Sequence, residues 1–373
     1  MISPKFFRSS TGEIPLPVFF PDATRAVVKL LDTKDLESTK TNGLLINTYH
    51  LYKELGLPFI KKLGGIRKFM GWDGALISDS GGFQVGSLIK KHGTRLGKVT
   101  DDGAMFRLDG KKILLTPELS IQIQMELGVD MVVVLDDFTD PLVPRQNAKE
   151  SVNRTINWAH RSKIEFEKIN RKSMRNSRRP YLLGIVQGGY YQDLRKHCIE
   201  ELLKIGFDGL GYGGWPLKQN MTFDYESAKT ISENTPSNYL LYGLGVGKPC
   251  EIVNLYKLGY TIFDCVLPTR DARHGRLYVY KADSIEEIDI SKNDFYEFYY
   301  PTKSKHQDDF SPVSMACDCL TCKNYSRSYL RHLFKIKDAT AGRLATIHNL
   351  RFYSILMEKL SLFNIWTRRF NSF

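Results

Sequence analysis

Short apolar runs that end in polar or glycine-rich residues recur along the chain, and a helical pattern follows most of them. This alternation predicts βα units that build a parallel sheet. The number of runs and the chain length of 373 residues favour an α/β fold of the TIM type, a (β/α)8 barrel whose functional groups gather at the C-terminal ends of the strands. The runs cover residues 43–46, 75–77, 131–135, 181–186, 209–212, 239–241 and 261–263.

Other segments depart from this alternation. Residues 91–112 alternate around a turn at Asp109 and Gly110, which predicts a hairpin inserted in the barrel. The arginine-rich stretch 168–179 is interpreted as a solvated loop. Helices are predicted over residues 117–127, 151–170, 191–205, 250–257, 325–334 and 343–361.

A change in amino-acid composition divides the chain into two regions. From residue 283 the sequence becomes charged and rich in tyrosine, and a cluster of cysteines follows. We therefore expect a catalytic barrel over residues 1–282. Residues 283–373 are expected to form a zinc-binding region and C-terminal helices that complete the barrel.

Composition narrows the class of protein. The chain is 42% hydrophobic and 25% charged, as in an ordinary soluble domain, and no run of 18 apolar residues predicts a membrane span. We expect a cytoplasmic protein without membrane contact. The net charge of +12 favours a polyanionic partner such as nucleic acid, although a merely basic soluble protein fits the charge equally well.

Three cysteines crowd together in the C-terminal region. Cys317, Cys319 and Cys322 have the spacing C-x-C-x2-C, which is typical of a metal site rather than of disulfides. Three thiolates and one imidazole would form a closed tetrahedral site, so the expected zinc ion is structural. The histidine can be His348 or His332, because both lie downstream within helical patterns.

Three aspartates stand at the ends of predicted strands: Asp79, Asp136 and Asp264. Any one alone would be interpreted as a helix cap. Three together, beside Gly-Gly turns that let a flat ligand approach the backbone, favour a functional site. Such carboxylates suit the exchange of a glycosidic bond, in which one attacks the anomeric carbon and a second group handles the proton of the base.

A flat heterocycle would also need a stacking partner and groups that recognise its edge. Phe83 could stack, although a single phenylalanine is more often a core residue. Asp136, Gln187 and the backbone of Gly214 could recognise the edge.

These motifs together closely resemble the tRNA-guanine transglycosylases, the family of queuine and archaeosine tRNA-ribosyltransferases, over about residues 43–352. The resemblance implies that Asp264 is the nucleophile at C1′ of the wobble guanosine, that Asp79 is the proton acceptor for the incoming base, and that the cycle is ping-pong. It also favours His348 over His332 as the fourth zinc ligand. The matching stretches are Asn47-Thr-Tyr-His-Leu, Ser78-Asp-Ser-Gly-Gly-Phe-Gln, Leu115-Thr-Pro-Glu, Gly184-Ile-Val-Gln-Gly, Gly245-Val-Gly-Lys-Pro, Phe263-Asp-Cys-Val-Leu-Pro-Thr-Arg and the cysteine cluster through His348-Asn.

The resemblance further implies a base pocket and an RNA surface. Substrates in the family are transfer RNAs with a guanine, uracil, any-base (GUN) anticodon, and the enzymes are usually dimers. The base would be bound by Asp136, Gln187 and Gly214, with Ser80, Gly81, Gly82 and Phe83 lining the pocket. The RNA would contact Gly245, Val246, Gly247, Lys248, Pro249, Cys250 and Glu251, and Thr269, Arg270, Asp271, Ala272 and Arg273.

One stretch departs from the pattern of bacterial members, which carry small residues and then an acid suited to an ammonium group. Here Trp215 replaces a smaller residue and Lys218 stands where the acid is expected, so a cationic base would be repelled if Lys218 pointed into the pocket. Asp224 or Glu226 could instead take over the role of the acid. The incoming base is therefore 7-aminomethyl-7-deazaguanine, queuine or the neutral 7-cyano form, with the first two favoured.

Two other readings remain open at the level of sequence. The same chemistry could act on DNA, because the pocket alone does not exclude it. Alternatively, the chain could be a non-catalytic subunit that binds tRNA beside an active paralogue, although such a subunit would be expected to have lost Asp79, Asp136, Gln187 or Asp264.

Overall fold

The computed structural model describes residues 4–82, 97–108, 111–138, 140, 142–173 and 178–370. Eight parallel strands form one sheet in the order β3-β13-β12-β11-β10-β9-β5-β4. The two end strands meet through a parallel bridge between Asp22 and Leu45, and Ala23 N donates to Leu45 O at 2.7 Å. The sheet therefore curls into a nearly closed barrel, as the sequence predicts.

The barrel strands are β3 Val18–Pro21, β4 Gly43–Ile46, β5 Ala75–Ser78, β9 Met131–Val133, β10 Tyr181–Val186, β11 Gly209–Tyr212, β12 Leu240–Gly243 and β13 Ile262–Cys265. The remaining strands are β1 Phe6–Ser9, β2 Gly12–Pro15, β6 Gly97–Thr100, β7 Gly103–Leu108, β8 Lys111–Leu115, β14 Leu277–Tyr280 and β15 Tyr296–Tyr299. The helices are α1 Thr33–Ser38, α2 Thr48–Leu55, α3 Leu57–Leu63, α4 Ile66–Met70, α5 Pro117–Leu127, α6 Arg145–Ser173, α7 Gln192–Ile205, α8 Tyr225–Glu233, α9 Pro249–Lys257, α10 Leu267–Arg273, α11 Leu320–Asn324, α12 Arg327–Lys335 and α13 Ala339–Phe370.

The N-terminal hairpin β1–β2 covers the end of the barrel at which the strands begin. Phe7 is fully buried and packs against Phe20 with ring centroids 5.5 Å apart. Ser10 N donates to Asp130 Oδ1 at 2.7 Å, and Arg67 forms an ion pair with the same carboxylate. This end is closed, so the opposite end, where the strands finish, is the one available to a ligand.

The long helix α13 packs on the first barrel strand. Its Tyr353 ring lies 4.6 Å from the ring of Phe19 in β3, and Leu350, Tyr353 and Leu356 are buried. Because a parallel sheet must be covered on its outer face, this helix supplies the cover for β3. The segment that carries Cys317, Cys319 and Cys322 lies between β13 and this covering helix along the chain.

Several elements differ from the sequence predictions. The strand β3 was not predicted. The predicted hairpin is present as β7 and β8, but β6 adds a third antiparallel strand, while residues 91–96 and the turn at 109–110 lie outside the described residues. The predicted loop at 168–179 was wrong for residues 168–173, which continue α6 because Asn170 is buried against the core. No helix in the described part of the chain is long and apolar enough to cross a membrane.

Candidate active site

Asp79 lies directly after β5 and is held by the start of α2. Thr48 N donates to Asp79 Oδ1 at 3.0 Å, Gly81 N donates to the same atom at 3.2 Å, and the side-chain amide of Asn47 donates to Oδ2. Burial raises the pKa of Asp79 to about 7. The two backbone donors lower this pKa, whereas the negative charges of neighbouring carboxylates raise it further. A carboxyl group with this pKa can both take and give a proton near neutral pH.

Asp264 is the third residue of β13 and is only 7% exposed. Its Oδ1 accepts a hydrogen bond from Tyr242 Oη at 2.7 Å and another from Gly245 N at 2.8 Å. Burial raises the pKa of Asp264 to about 6, and these two donors oppose the rise. No described residue donates to Oδ2. One oxygen is therefore anchored, and the other is available to attack an electrophile.

The barrel brings Asp79 and Asp264 together although their strands are not neighbours. The negative charge of Asp264 contributes to the raised pKa of Asp79, after the larger effect of burial. Since strand ends converge at one rim of a closed barrel, two acids that are far apart in sequence can face the same space.

Asp136 and Gln187 form a second pair at the tips of β9 and β10. Gln187 is fully buried, and its Nε2 donates to Asp136 Oδ2 at 2.6 Å. Burial raises the pKa of Asp136 to about 6, the Gln187 donor lowers it, and the charge of Asp137 raises it. The pair presents amide and carboxyl groups side by side, as recognition of a heterocycle edge requires.

Glycines keep the floor of this region open. A Cβ atom on Gly82 would lie 2.8 Å from Leu135 Cδ1, and Gly214 has a φ of +89°, which residues with a side chain rarely adopt. Ser80 is buried, and its Oγ accepts a hydrogen bond from Gly82 N at 3.2 Å. Phe83, the expected stacking residue, lies outside the described residues.

Lys218, which stands where an acid is expected, has its charge compensated by neighbouring carboxylates. Lys218 Nζ lies 3.8 Å from Asp224 Oδ1 and 4.0 Å from Glu226 Oε2, so two carboxylates compensate its charge. Asp224 is buried and caps α8 by accepting from Ser227 N. Trp215 is 45% exposed.

The two segments expected to contact RNA combine buried and exposed residues. In residues 245–251, Gly245 and Lys248 are exposed and Cys250 is partly exposed, while Val246, Gly247, Pro249 and Glu251 are buried. In residues 269–273, Arg270 is exposed and Arg273 partly exposed, while Thr269, Asp271 and Ala272 are buried. The residues able to reach a ligand directly are mainly cationic.

Cys317, Cys319, Cys322 and His348 come together in the interior, with ligand atoms all within 4.8 Å of one another. Tetrahedral zinc with thiolate ligands requires sulfur atoms about 3.8 Å apart, so this arrangement fits the ion. His348 Nε2 lies 2.8 Å from Tyr278 O, which leaves Nδ1 to face the sulfur atoms, 3.2 Å from Cys322 Sγ. His332 is exposed on α12 and is not part of the cluster.

Sequence reasoning missed three residues that shape the site. Asn47 was noted only as part of a motif, and Tyr242 was not singled out although it follows a predicted strand. Asp22 was not identified because β3 itself was not predicted. An acid directly after the apolar run 18–21 was the available signal.

Strand-end carboxylates at one rim of a parallel barrel define a (β/α)8-barrel enzyme, and the chain also carries a Cys3His cluster that could hold a metal ion. The chain belongs to the queuine tRNA-ribosyltransferase family, whose model matches residues 6–363. Proteins named queuine tRNA-ribosyltransferase from Caldanaerobacter subterraneus subsp. tengcongensis and Thermoanaerobacter sp. are 41% and 39% identical over 351 residues, 94% of this chain and 86% of theirs. The one from Shewanella sp. is 37% identical and 87% covered. The resemblance indicated by the motifs is confirmed.

Proposed function

We propose that this protein exchanges guanine at the wobble position of GUN-anticodon transfer RNAs for a 7-deazaguanine, through a covalent bond between Asp264 and the ribose. The observation that carries the proposal is the asymmetry of Asp264: Oδ1 accepts two hydrogen bonds, and no described residue donates to Oδ2. With a pKa of about 6, the carboxyl is mostly ionised at neutral pH. It is therefore ready to attack.

In the first half-reaction, Asp264 Oδ2 bonds to C1′ of the wobble nucleoside while the bond from C1′ to the base breaks. The electron pair leaves with guanine, which takes up a proton from Asp79. In the second half-reaction, Asp79 accepts the N9 proton of the incoming base, N9 bonds to C1′, and the ester bond to Asp264 breaks. A pKa of about 7 lets Asp79 serve both steps with little loss of driving force.

Asp136, Gln187 and Gly214, with Ser80 to Gly82, form the proposed base pocket. The Gln187 amide and the Asp136 carboxyl are already joined by a hydrogen bond, so the pair is preorganised to recognise a guanine-like edge. The incoming base is proposed to be 7-aminomethyl-7-deazaguanine or queuine. The compensation of Lys218 by Asp224 and Glu226 supports this choice, because it removes most of the repulsion that a cationic base would meet.

The remaining partners follow from the surface and the metal cluster. Arg270, Arg273 and Lys248 are proposed to contact the RNA. Zinc is proposed to hold the appended region, since four protein ligands complete a tetrahedral site. A homodimer and a cytoplasmic location belong to the same proposal.

The test is covalent trapping of a GUN-anticodon hairpin, read as a shifted band on a denaturing gel, together with incorporation of labelled guanine. Asp264→Ala should abolish both. Asp294→Ala removes an exposed acid from a pair with Lys281 and should behave as the wild type. Incorporation by Asp264→Ala at the wild-type rate would overturn the proposal. Nucleoside mass spectrometry with each candidate base then identifies the base that is inserted.

A further inference from the structure

Asp22 lies at the rim of the barrel between the two residues assigned to the chemistry. Pro21 pairs with Cys265 across β3 and β13, so Asp22 stands just beyond the end of the strand that carries Asp264. On its other side, Asp22 bridges to Leu45 in β4. That strand leads directly to Asn47, whose side chain holds Asp79.

Only one of the two carboxylate oxygens of Asp22 accepts a hydrogen bond from a described residue. Thr24 Oγ1 donates to Asp22 Oδ1 at 2.6 Å, and no described residue donates to Oδ2. The side chain is partly exposed. Burial is the main reason that the pKa values of Asp79 and Asp264 are raised, and the charge of Asp22 raises both further. Asp22 is therefore within electrostatic reach of both acids, yet the exchange reaction assigns it no step.

Its position in the barrel decides which part of a nucleotide it faces. The base pocket is formed by the tips of β5, β9, β10 and β11, whereas Asp22 lies on the β13, β3 and β4 side. Arg273 lies on this side too: burial lowers the pKa of Arg273 and the charge of Asp22 opposes that effect. The sugar–phosphate chain leaving the reacting ribose is thus the part of the RNA expected beside Asp22.

A second polar side chain on this side has one atom without a hydrogen-bond partner among the described residues. His50, in α2, has a buried Nδ1 with no hydrogen-bond partner among the described residues. Its electrostatic surroundings include Asp22 together with Arg25, Lys53 and Glu54. Unused hydrogen-bonding capacity is therefore present beside the expected sugar, at Asp22 Oδ2 and His50 Nδ1.

A carboxylate next to phosphates repels them, and this repulsion must be offset by a hydrogen bond that the ligand donates to the carboxylate. Ribose carries one such donor that deoxyribose lacks, the 2′-hydroxyl. We propose that Asp22 accepts a hydrogen bond from a ribose 2′-hydroxyl, at the reacting nucleotide or an immediate neighbour, and thereby makes the site select RNA over DNA. The inference rests on the proposed function, since it presumes a nucleic acid bound at Asp264.

The test compares four anticodon hairpins: one all-ribose, and three with a single 2′-deoxynucleotide at the wobble position, before it or after it. The value of kcat/KM for guanine exchange is measured with the wild type and with Asp22→Ala. Glu13→Ala, which removes an exposed acid from the N-terminal hairpin at the other end of the barrel, is the matched control. Asp22→Asn keeps an acceptor for Thr24 and serves if the alanine variant does not fold.

At one of the three positions, loss of the 2′-hydroxyl should lower kcat/KM of the wild type and of Glu13→Ala on the order of tenfold to a hundredfold, as expected for a hydrogen bond to a charged group. Asp22→Ala should lose little or nothing from the same deoxy substitution, and Asp22→Asn should lie between. Equal factors for all enzymes at every position would overturn the inference while leaving the exchange reaction intact. A wild type that exchanges no guanine in the all-ribose hairpin would instead overturn the proposed function.

Discussion

Replacing Asp264 by asparagine should abolish covalent trapping and yet stabilise the fold. From an ordinary value of about 3.9, burial raises the pKa of Asp264 to about 6. At 1.36 kcal/mol per pKa unit, the ionised carboxylate costs the folded state about 3 kcal/mol. Asparagine removes the charge and keeps the hydrogen bonds, because Tyr242 and Gly245 both donate to Oδ1, an atom that the amide oxygen can replace.

The size of this effect depends on pH in a defined window. The carboxyl is harder to ionise in the folded protein than in the unfolded chain, so the cost grows as pH rises from about 4 to about 6 and is complete above it. Below about pH 4 both states are protonated and the cost disappears. Asp264→Asn should therefore unfold roughly 4 °C above the wild type at about pH 7.5, for a chain of this length, and should match the wild type at about pH 4.

The assay is thermal unfolding followed by circular dichroism at both pH values, with Asp130→Asn as the comparison. Asp130 is also buried, but it forms an ion pair with Arg67 and accepts from Leu76 N at 2.8 Å. Its neutralisation should destabilise the protein by about 1–3 kcal/mol, because the guanidinium loses its partner. A gain for Asp264→Asn that is the same at both pH values, or a loss at about pH 7.5, would refute the reasoning.

Three further outcomes are expected. Tyr242→Phe removes a donor to Asp264 and should raise the pKa of that carboxyl by about one unit, moving the acid limb of the trapping rate to higher pH, and an unmoved limb would contradict the assignment. Asp79→Asn should slow the release of trapped RNA by incoming base about a hundredfold in a single-turnover chase, because no carboxylate accepts the N9 proton, whereas an unchanged chase rate would exclude Asp79 as the base. Cys319→Ser should lower both the zinc content measured by elemental mass spectrometry and the unfolding temperature, and full zinc content at an unchanged temperature would count against the metal site.

The positions of Asp79, Asp136 and Asp264 could be predicted because the local sequence contains both the apolar run that forms the strand and the acid at its end. An apolar run that leads into an acid marks a strand end, and the barrel places strand ends at one rim. Asp79, Asp136 and Asp264 all follow this rule. The cysteine spacing likewise predicted the cluster of candidate metal ligands, although the choice of His348 over His332 needed the family resemblance.

The strand β3 could not be predicted for a physical reason. Its four residues follow Pro17 and end with Pro21, and prolines ordinarily argue against a central strand. The segment becomes a strand because it closes the barrel between β4 and β13 and is covered by α13, contacts that are remote in sequence. Asp22 was lost with it.

The groups that tune the acids are equally non-local. Asn47 is 32 residues from Asp79, and Tyr242 is 22 residues from Asp264. No spacing rule connects these pairs, because each pair meets only where two neighbouring strands end at the same rim. Sequence thus indicates the candidate carboxyl groups, whereas the three-dimensional fold sets their pKa values.

This division explains why the reactive rim is paired with a reinforced opposite end. Ionised carboxylates at the rim, raised in pKa by burial, each lower stability at neutral pH. At the other end, the hairpin β1–β2, buried Phe7 and the Asp130–Arg67 ion pair add stabilising contacts that no ligand needs to cross. A barrel separates these two demands by about the length of its strands, so the cost of reactivity at the rim can be offset without stiffening or filling the site.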